Sequence, residues 1–320
     1  MAKSPADSKS SDKARASARP ATAPALQGRL EQLDRQLVKL LNERTDVAVK
    51  LAKLRQASGE HGVSIAHEEE ILARAVELSK GPMPPRALRA AMREAISGAR
   101  SLVRELRIAF LGPLYSYSHL AAIHRFGQSV EFLPVGSIAA VFEEVNRGHS
   151  DFGIVPVENS TDGRVADTMD MFTRLPVRIC GEVELEIHHV LLAKCPRDEI
   201  KEIYSRPQAL SQCRNWLAKH LPQARTIEVT STSTAAQLAN EKPGAAAIAS
   251  LQAGVHYGLN VLAEQIEDNP SNTTRFAVIG DQPNARTGRD KTAMMFQVVH
   301  RPGSLADALN IFKRNRLNLT

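Results

Sequence analysis

The sequence predicts a multidomain chain, with an all-α segment first and then an α/β domain of mainly parallel strands. Three observations carry this. Apolar residues recur every three or four positions from Leu26 to Arg55, with no proline or glycine after Gly28, and that spacing is helical. The stretch GPMPP at 81–85 stops one helical pattern before another begins. From Arg107 short apolar runs alternate with helical ones, the pattern of an α/β domain whose ligands sit at the carboxyl ends of its strands.

The first helix runs over Leu26–Arg55 through Leu30, Leu33, Leu37, Leu40, Leu41, Val47, Leu51 and Leu54, about eight turns. A glycine-containing break at 58–63 separates it from a second helix through Glu68 to Leu78, and a third begins at Arg86 and reaches Leu106. Three helices of this size bury little surface alone, so the segment is expected to dimerise or to pack on the next domain. Then RIAFLG reads as a strand, GPLYSYS as a turn and HLAAIHRF as a helix with Ser118 as its N-cap. EFLPV, a helix over Ile138–Arg147 and the strand DFGIVPV follow.

Composition excludes several classes. A chain of 320 residues with 43% hydrophobic and 24% charged residues has the balance of a globular protein. No run approaches the ~18 apolar residues of a spanning helix, and no apolar segment follows the basic N-terminus as in a signal peptide. A cytoplasmic protein without a membrane role is the expectation. The net charge of +6 is concentrated in residues 1–25, which read as a disordered tail, and in the helical stretch 86–107. Aromatic residues make up only 4%, so no stacking platform accompanies that charge and no nucleic-acid partner is expected. An anionic small molecule fits the same excess. Cys180, Cys195 and Cys213 match no metal or disulfide spacing, and are expected as buried free thiols with no metal.

Four polar turns share one design. SYS (116–118), ENS (158–160), SRPQ (205–208) and STST (231–234) each follow an apolar run, and most precede a helical one. Such turns offer free N–H groups and hydroxyls to carboxylates or phosphates. Each taken singly reads equally as a helix cap. A fifth polar segment, NTTRFAVIG at 272–280, sets Thr273, Thr274 and Arg275 directly before a core strand.

These stretches carry a family resemblance. IAFLGPLYSYSHLAA, GIVPVENSTDGRVADTMDMF, IYSRPQALSQC, STSTAAQLA and AGVHYGLNVLAEQIEDNPSNTTRFAVIG stand in the order and spacing of the prephenate dehydratase motifs, over roughly 107–280. The preceding helices resemble the chorismate mutase domain of the bacterial bifunctional P-protein, and residues 291–320, with HRPGSLADALNIFKRNRLNLT, resemble the first half of an ACT domain.

The resemblance implies a helical mutase-like domain over 26–106 and a dehydratase domain over 107–283. The latter has two lobes, as in periplasmic binding proteins: lobe one is 107–183 plus 270–283, and lobe two is 184–269. A partial α+β ACT domain over 291–320 completes the chain. It also implies conversion of prephenate to phenylpyruvate, with loss of CO2 and the ring hydroxyl and no cofactor. Thr274 takes the catalytic role, as a positioned donor to the departing oxygen. Substrate contacts fall on Ser116, Ser118, Glu158, Asn159, Ser160, Ser205, Gln208, Gln212, Ser233, Thr234, Arg275 and Phe276, with Thr274 and Arg275 lining the cleft. Phe276 and Val278 also anchor the strand, and Arg275 either supplies positive charge or braces the loop. The implied mutase site uses Arg44, Arg55 and Glu69, with chorismate as a further substrate, and Gly303, Ser304 and Leu305 match half of an L-phenylalanine effector site. A homodimer is expected.

Several positions depart from the family pattern. Tyr115 replaces a glycine in the first turn, and Arg206 replaces the usual histidine of SHPQ. Gln27, Glu68 and Val103 stand where the mutase site carries two arginines and a glutamine, so weakened binding of the dianion, or a domain kept only for dimerisation, is expected there. The ESRP motif of the ACT domain is not in the sequence, and phenylalanine is expected to inhibit poorly. The same chemistry on an aminated substrate, arogenate, and a non-catalytic sensor of a small dicarboxylate are the alternative readings.

Overall fold

A computed structural model describes residues 22–59, 63–282, 284, 286–288 and 290–319. It falls into two compact units, one of 1–63, 72–106 and 123–131, the other of 64–71, 107–122 and 132–320. Most of the N-terminal tail lies outside the described residues, and its last residues belong to a helix, since α1 spans Ala23–Ala57. Pro24 sits in the first turn of α1, where its missing N–H costs nothing.

The second helix, α2, covers Ile65–Leu78, and α3 covers Pro85–Ser101, five residues short of the expected end. Proline opens α3 at its first position. No residue of α1 is buried, and the apolar positions Leu30 to Leu54 of the predicted pattern stand from 39% exposed at Leu41 to 69% at Leu54. The helix forms as its period predicts, and among the described residues the apolar positions that define it stay largely uncovered.

The α/β part holds two sheets. The first contains β1 (Arg107–Leu111), β2 (Glu131–Val135), β3 (Phe152–Asn159), β4 (Gly163–Arg164), β5 (Arg178–Glu186) and β11 (Thr273–Gly280), in the order β2-β1-β3-β11-β5 with β4 on β3. The second contains β6 (Val190–Ala193), β7 (Glu202–Ser205), β8 (Arg225–Glu228), β9 (Ala245–Ala249) and β10 (Asn260–Ala263), in the order β10-β6-β9-β7-β8. The chain crosses to the second sheet after Glu186 and returns as β11.

That return corrects the expectation of mainly parallel strands. β1 is parallel to β3, and β7 to β8 and β9, but β11 runs antiparallel to both β3 and β5, and β6 runs antiparallel to β9 and β10. A strand that re-enters a sheet from a second lobe need not share the direction set by strand–helix–strand crossovers.

Helices α4 (Tyr117–Phe126), α5 (Ile138–Asn146) and α6 (Ala166–Arg174) accompany the first sheet. Helices α7 (Pro207–Gln212), α8 (Arg214–His220), α9 (Thr232–Glu241) and α10 (Leu251–His256) accompany the second. Under the first sheet Ala109, Val141, Phe142, Val145, Val155 and Ile279 form one buried cluster. Gly153 of β3 is fitted into it: a Cβ there would meet Ile279 Cγ1 and Val141 Cγ1 at 2.8 Å. Gly153→Ala is accordingly expected to destabilise by about 1–3 kcal/mol through overpacking, read as a lower melting temperature in calorimetry.

Beyond Lys291 the described residues form one helix, α11 (Ser304–Arg314), and no strand. The expected α+β character is absent there. Among the described residues the run Met294–Val299 is largely exposed and takes part in neither sheet, so no neighbouring ladder is there to hold a strand. Gly303 takes φ +86° before α11, Ser304 is buried with its hydroxyl unpartnered, and Leu305 is exposed. Cys180 and Cys213 are buried thiols as expected, whereas Cys195 is only half-buried. Among the described residues no helix is long and apolar enough to cross a membrane.

Candidate active site

The site grows from the antiparallel pairing of β3 and β11. Thr274 lies opposite Asn159, and Arg275 lies opposite Glu158. Successive side chains on a strand point to opposite faces, so the register separates two pairs. On one face Asn159 Nδ2 donates to Thr274 Oγ1 at 2.8 Å and to Asn272 Oδ1 at 2.9 Å. On the other, Arg275 Nη2 donates to Glu158 Oε2 at 2.8 Å.

Arg275 therefore does not share the face of Thr274, correcting the expectation that both line one cleft. It braces β11 against β3 instead. Phe276 is 2% exposed and presents no open surface to a substrate. It anchors the strand from the core.

The direction of the hydrogen bonds at Asn159 is fixed by the backbone. Its Oδ1 accepts from Thr161 N at 2.9 Å and Asp162 N at 3.1 Å, so its amide nitrogen must face Thr274. Thr274 Oγ1 is thus an acceptor there, and its own hydrogen is not used toward Asn159. Among the described residues no protein acceptor takes that hydrogen. A hydroxyl that accepts one hydrogen bond becomes a better donor of the next. Ser160 clamps the same corner, accepting from Thr273 N at 3.0 Å and donating to Ser271 O at 3.3 Å.

Gln212, at the end of α7, joins this cluster from the second lobe. Its Oε1 accepts from Asn272 Nδ2 at 2.9 Å, and its Nε2 donates to Asp162 Oδ2 at 3.1 Å. Asn159, Ser160, Gln212 and Thr274 are therefore brought together. Asn272 and Asp162 were not singled out from the sequence, although both lie inside the quoted motifs. His189 was missed altogether, because a histidine between two strands carries no spacing signal.

Ser116, not Ser118, caps α4: its Oγ accepts from His119 N at 3.3 Å and donates to Leu111 O at 3.0 Å. Ser118 is buried inside the helix. The glycine-to-tyrosine departure falls where the backbone is left-handed, since Tyr115 has φ +65°, costing about 1–2 kcal/mol for a residue with a Cβ. Compensation is visible. Tyr115 N donates to His119 Nδ1 at 3.0 Å, and its ring stacks on His256 at 4.1 Å between centroids. Burial pushes the His119 imidazole down to about 4, so Nδ1 keeps its lone pair for that bond.

The second lobe reaches this turn through serines. Ser233 Oγ donates to Leu114 O at 2.7 Å and Ser250 Oγ to Tyr115 O at 3.2 Å. Ser205 Oγ donates to Ile248 O at 2.7 Å, and Ser205 and Ser233 are fully buried. Their hydroxyls hold backbone rather than stand open, a correction to their expected role as free donors. Thr234 Oγ1 pairs with Ser231 Oγ, the N-cap of α9, at 2.7 Å. Gln208 is exposed and, with Arg206, Glu228 and Thr230, lines an open depression of about 420 Å3 at the carboxyl ends of β7 and β8. Arg206 puts a cation at its edge.

Of the mutase-like positions, Arg44 on α1 donates from Nη1 to Ala95 O of α3 at 3.4 Å. Arg55 stands exposed in the last turn of α1, and Glu69 is exposed on α2.

Two sheets joined by two chain crossings, with the Thr274 hydroxyl oriented by Asn159 beside them, define a two-lobed α/β enzyme preceded by a helical domain. Residues 108–284 match the prephenate dehydratase family, and residues 26–104 match chorismate mutase type II. The chain is 41% identical over 303 residues to the bifunctional chorismate mutase/prephenate dehydratase of Stutzerimonas stutzeri, covering 92% of this chain and 83% of that protein. With the protein of that name from Aquifex aeolicus it shares 38% identity over 300 residues, at the same coverage of each. Among solved structures, prephenate dehydratase from Arthrobacter aurescens in complex with L-Phe superposes with a TM-score of 0.60 at 31% identity, covering 67% of this chain and 74% of that one. The chain belongs to the bifunctional chorismate mutase/prephenate dehydratase family.

Proposed function

We propose that the chain is a prephenate dehydratase in which Thr274 assists the departing ring hydroxyl. One observation carries this: Asn159 donates to Thr274 Oγ1 at 2.8 Å, leaving the threonine hydrogen for a ligand. In the reaction the bond from the ring to its carboxylate breaks and releases CO2, and the electron pair enters the ring. The ring C–O bond breaks as aromaticity forms, and the oxygen takes a proton and leaves as water. Thr274 donates its hydrogen bond to that oxygen as negative charge develops on it, the moment at which an oriented donor counts most. Asn159 holds Thr274, Ser160 fastens the corner and Gln212 supplies the second lobe's side. Ser116, Ser233 and Thr234 hold backbone turns whose N–H groups suit carboxylates, and Ser118 packs inside α4. Gln208 bounds the depression on the second lobe, Ser205 ties the end of β7 to β9 beneath it, and Glu158, Arg275 and Phe276 support the strand β11.

On the same reading the N-terminal helices convert chorismate to prephenate, with Arg44, Arg55 and Glu69 as site residues, and family membership supports it. This rearrangement is pericyclic, so the side chains clamp a dicarboxylate and form no covalent bond to it. L-phenylalanine is the proposed effector of the segment around Gly303, Ser304 and Leu305, supported by the L-Phe complex of the Arthrobacter protein.

A paired assay of the purified chain, following phenylpyruvate from prephenate and loss of chorismate separately, tests both activities. Phenylpyruvate without chorismate loss leaves the helices a structural role only, and no phenylpyruvate overturns the proposal. The exposed apolar face of α1 supports a homodimer through residues 26–106. Light scattering is expected to give twice the chain mass, and a monodisperse monomer contradicts the dimer.

A further inference from the structure

The cluster that orients Thr274 does not end at Gln212. His189 Nε2 lies 2.8 Å from Gln212 Oε1, and Tyr117 OH lies 3.0 Å from His189 Nδ1 and 2.9 Å from His188 O. Glu267 fastens the histidine backbone, its Oε2 accepting from His189 N at 2.8 Å, while its Oε1 lies 2.8 Å from His188 Nδ1. None of this bears on Thr274 unless the bonds have a direction. They do.

Two anchors set that direction independently. At one end the backbone N–H groups of Thr161 and Asp162 fix Asn159 Oδ1 as acceptor, so Asn159 Nδ2 gives one hydrogen to Thr274 and the other to Asn272 Oδ1. Asn272 must then turn its Nδ2 to Gln212 Oε1. At the other, the Asp162 carboxylate can only accept, so Gln212 Nε2 faces it and Gln212 Oε1 faces away. Both anchors give the same answer: Gln212 Oε1 is an acceptor, and His189 must carry its hydrogen on Nε2. Burial lowers the His189 pKa, keeping the ring neutral with one hydrogen to place. Burial also raises the Tyr117 pKa well above that of a free phenol, so the phenol keeps its one hydrogen, which His188 O at 2.9 Å and the His189 Nδ1 lone pair at 3.0 Å share as acceptors.

We propose that His189, backed by Tyr117, is a positioning residue of the dehydratase reaction. Its Nε2–H holds Gln212 Oε1 against Asn272 Nδ2, which presents Asn272 Oδ1 to Asn159 and reserves the remaining Asn159 hydrogen for Thr274. His189 touches no substrate in this scheme and acts through the amide line alone. The inference rests on Thr274 being the donor to the departing oxygen.

The test combines a readout that needs no substrate with a double-mutant cycle. Long-range 1H–15N correlation on the full chain is expected to show His189 as the Nε2–H tautomer at neutral pH, and the Nδ1–H tautomer overturns the proposal whatever the activity. A glutamine amide can occupy the place of Nε2–H and an asparagine amide cannot reach it. His189→Asn is therefore expected to lower kcat for prephenate by about 10- to 100-fold with KM within about twofold, and His189→Gln to recover most of that loss. In a Thr274→Ala background His189→Asn is expected to cost nothing further, because the group it positions is gone. An undiminished cost there, or equal loss from the asparagine and glutamine variants, marks a general structural role and overturns the proposal. Should His189→Asn fail to fold, Tyr117→Phe, which removes one oxygen, runs the same cycle with the same two outcomes. Wild-type turnover by Thr274→Ala alone sinks the donor assignment instead, a failure distinct from a wrong tautomer.

Discussion

Thr274→Ala is expected to lower dehydratase kcat by about two to three orders of magnitude, the usual cost of removing one oriented donor at a developing charge. The fold should survive. Thr274 is only half-buried, and its side chain makes one hydrogen bond, accepted from Asn159. Removing it leaves Asn159 Nδ2 still bonded to Asn272, so no buried group is orphaned. Steady-state kinetics with prephenate, together with an unchanged thermal transition, checks this. Near-normal turnover removes Thr274 from the mechanism, and loss of the transition assigns the residue to stability. Thr274→Ser, which restores the hydroxyl, is expected to recover a large part of the rate.

Asn159→Asp is expected to cost as much by a different route. The substitution keeps the size of the side chain and lets one oxygen go on accepting from Thr161 N and Asp162 N. The other oxygen replaces a donor with an acceptor. Thr274 then finds a carboxylate 2.8 Å away where an amide stood, and its hydrogen turns from the substrate toward that carboxylate. Asn272 loses its hydrogen at the same time, and a negative charge is added beside a dianionic substrate. A fall in kcat of at least about 100-fold is expected, larger than that of Asn159→Ala, which abolishes the positioning without capturing the hydroxyl. Comparing kcat for the two variants decides the matter. Equal losses, or a milder loss for aspartate, show that the direction of this hydrogen bond is not what orients Thr274.

How much of this was legible beforehand depends on the distance over which each feature is encoded. The long helix α1, the break near 58–63, the GPMPP stop and the strand starting at Arg107 follow from periodicity and turn chemistry within a dozen residues. The sites of Asn159 and Thr274 were legible as polar residues at strand ends. The left-handed backbone at Tyr115 was foreshadowed by the glycine it replaces, and the structure shows φ +65° at that position. In contrast, Ser118 read as the cap of α4 because Ser116 and Ser118 are chemically alike, and only the backbone path tells which hydroxyl meets the free N–H groups. The α+β character expected after Lys291 was implied by the resemblance alone, and the described residues there form one helix and no strand.

The sequence by itself determined the order of the domains, the apolar face of the first helix and the short polar turns from which the site is built. These are local properties, set by side-chain period and by the few residues that suit a cap or a tight turn. Only the tertiary structure decided that β11 runs antiparallel beside β3, and with that register it decided that Thr274 faces Asn159 while Arg275 turns to Glu158 on the other side. It alone placed His189, Gln212 and Asn272, far apart in sequence, within hydrogen-bond reach of one another. The physical reason is that a hydrogen bond's direction depends on every neighbour competing for the same hydrogen, and those neighbours are gathered by the fold from segments that carry no mark of one another.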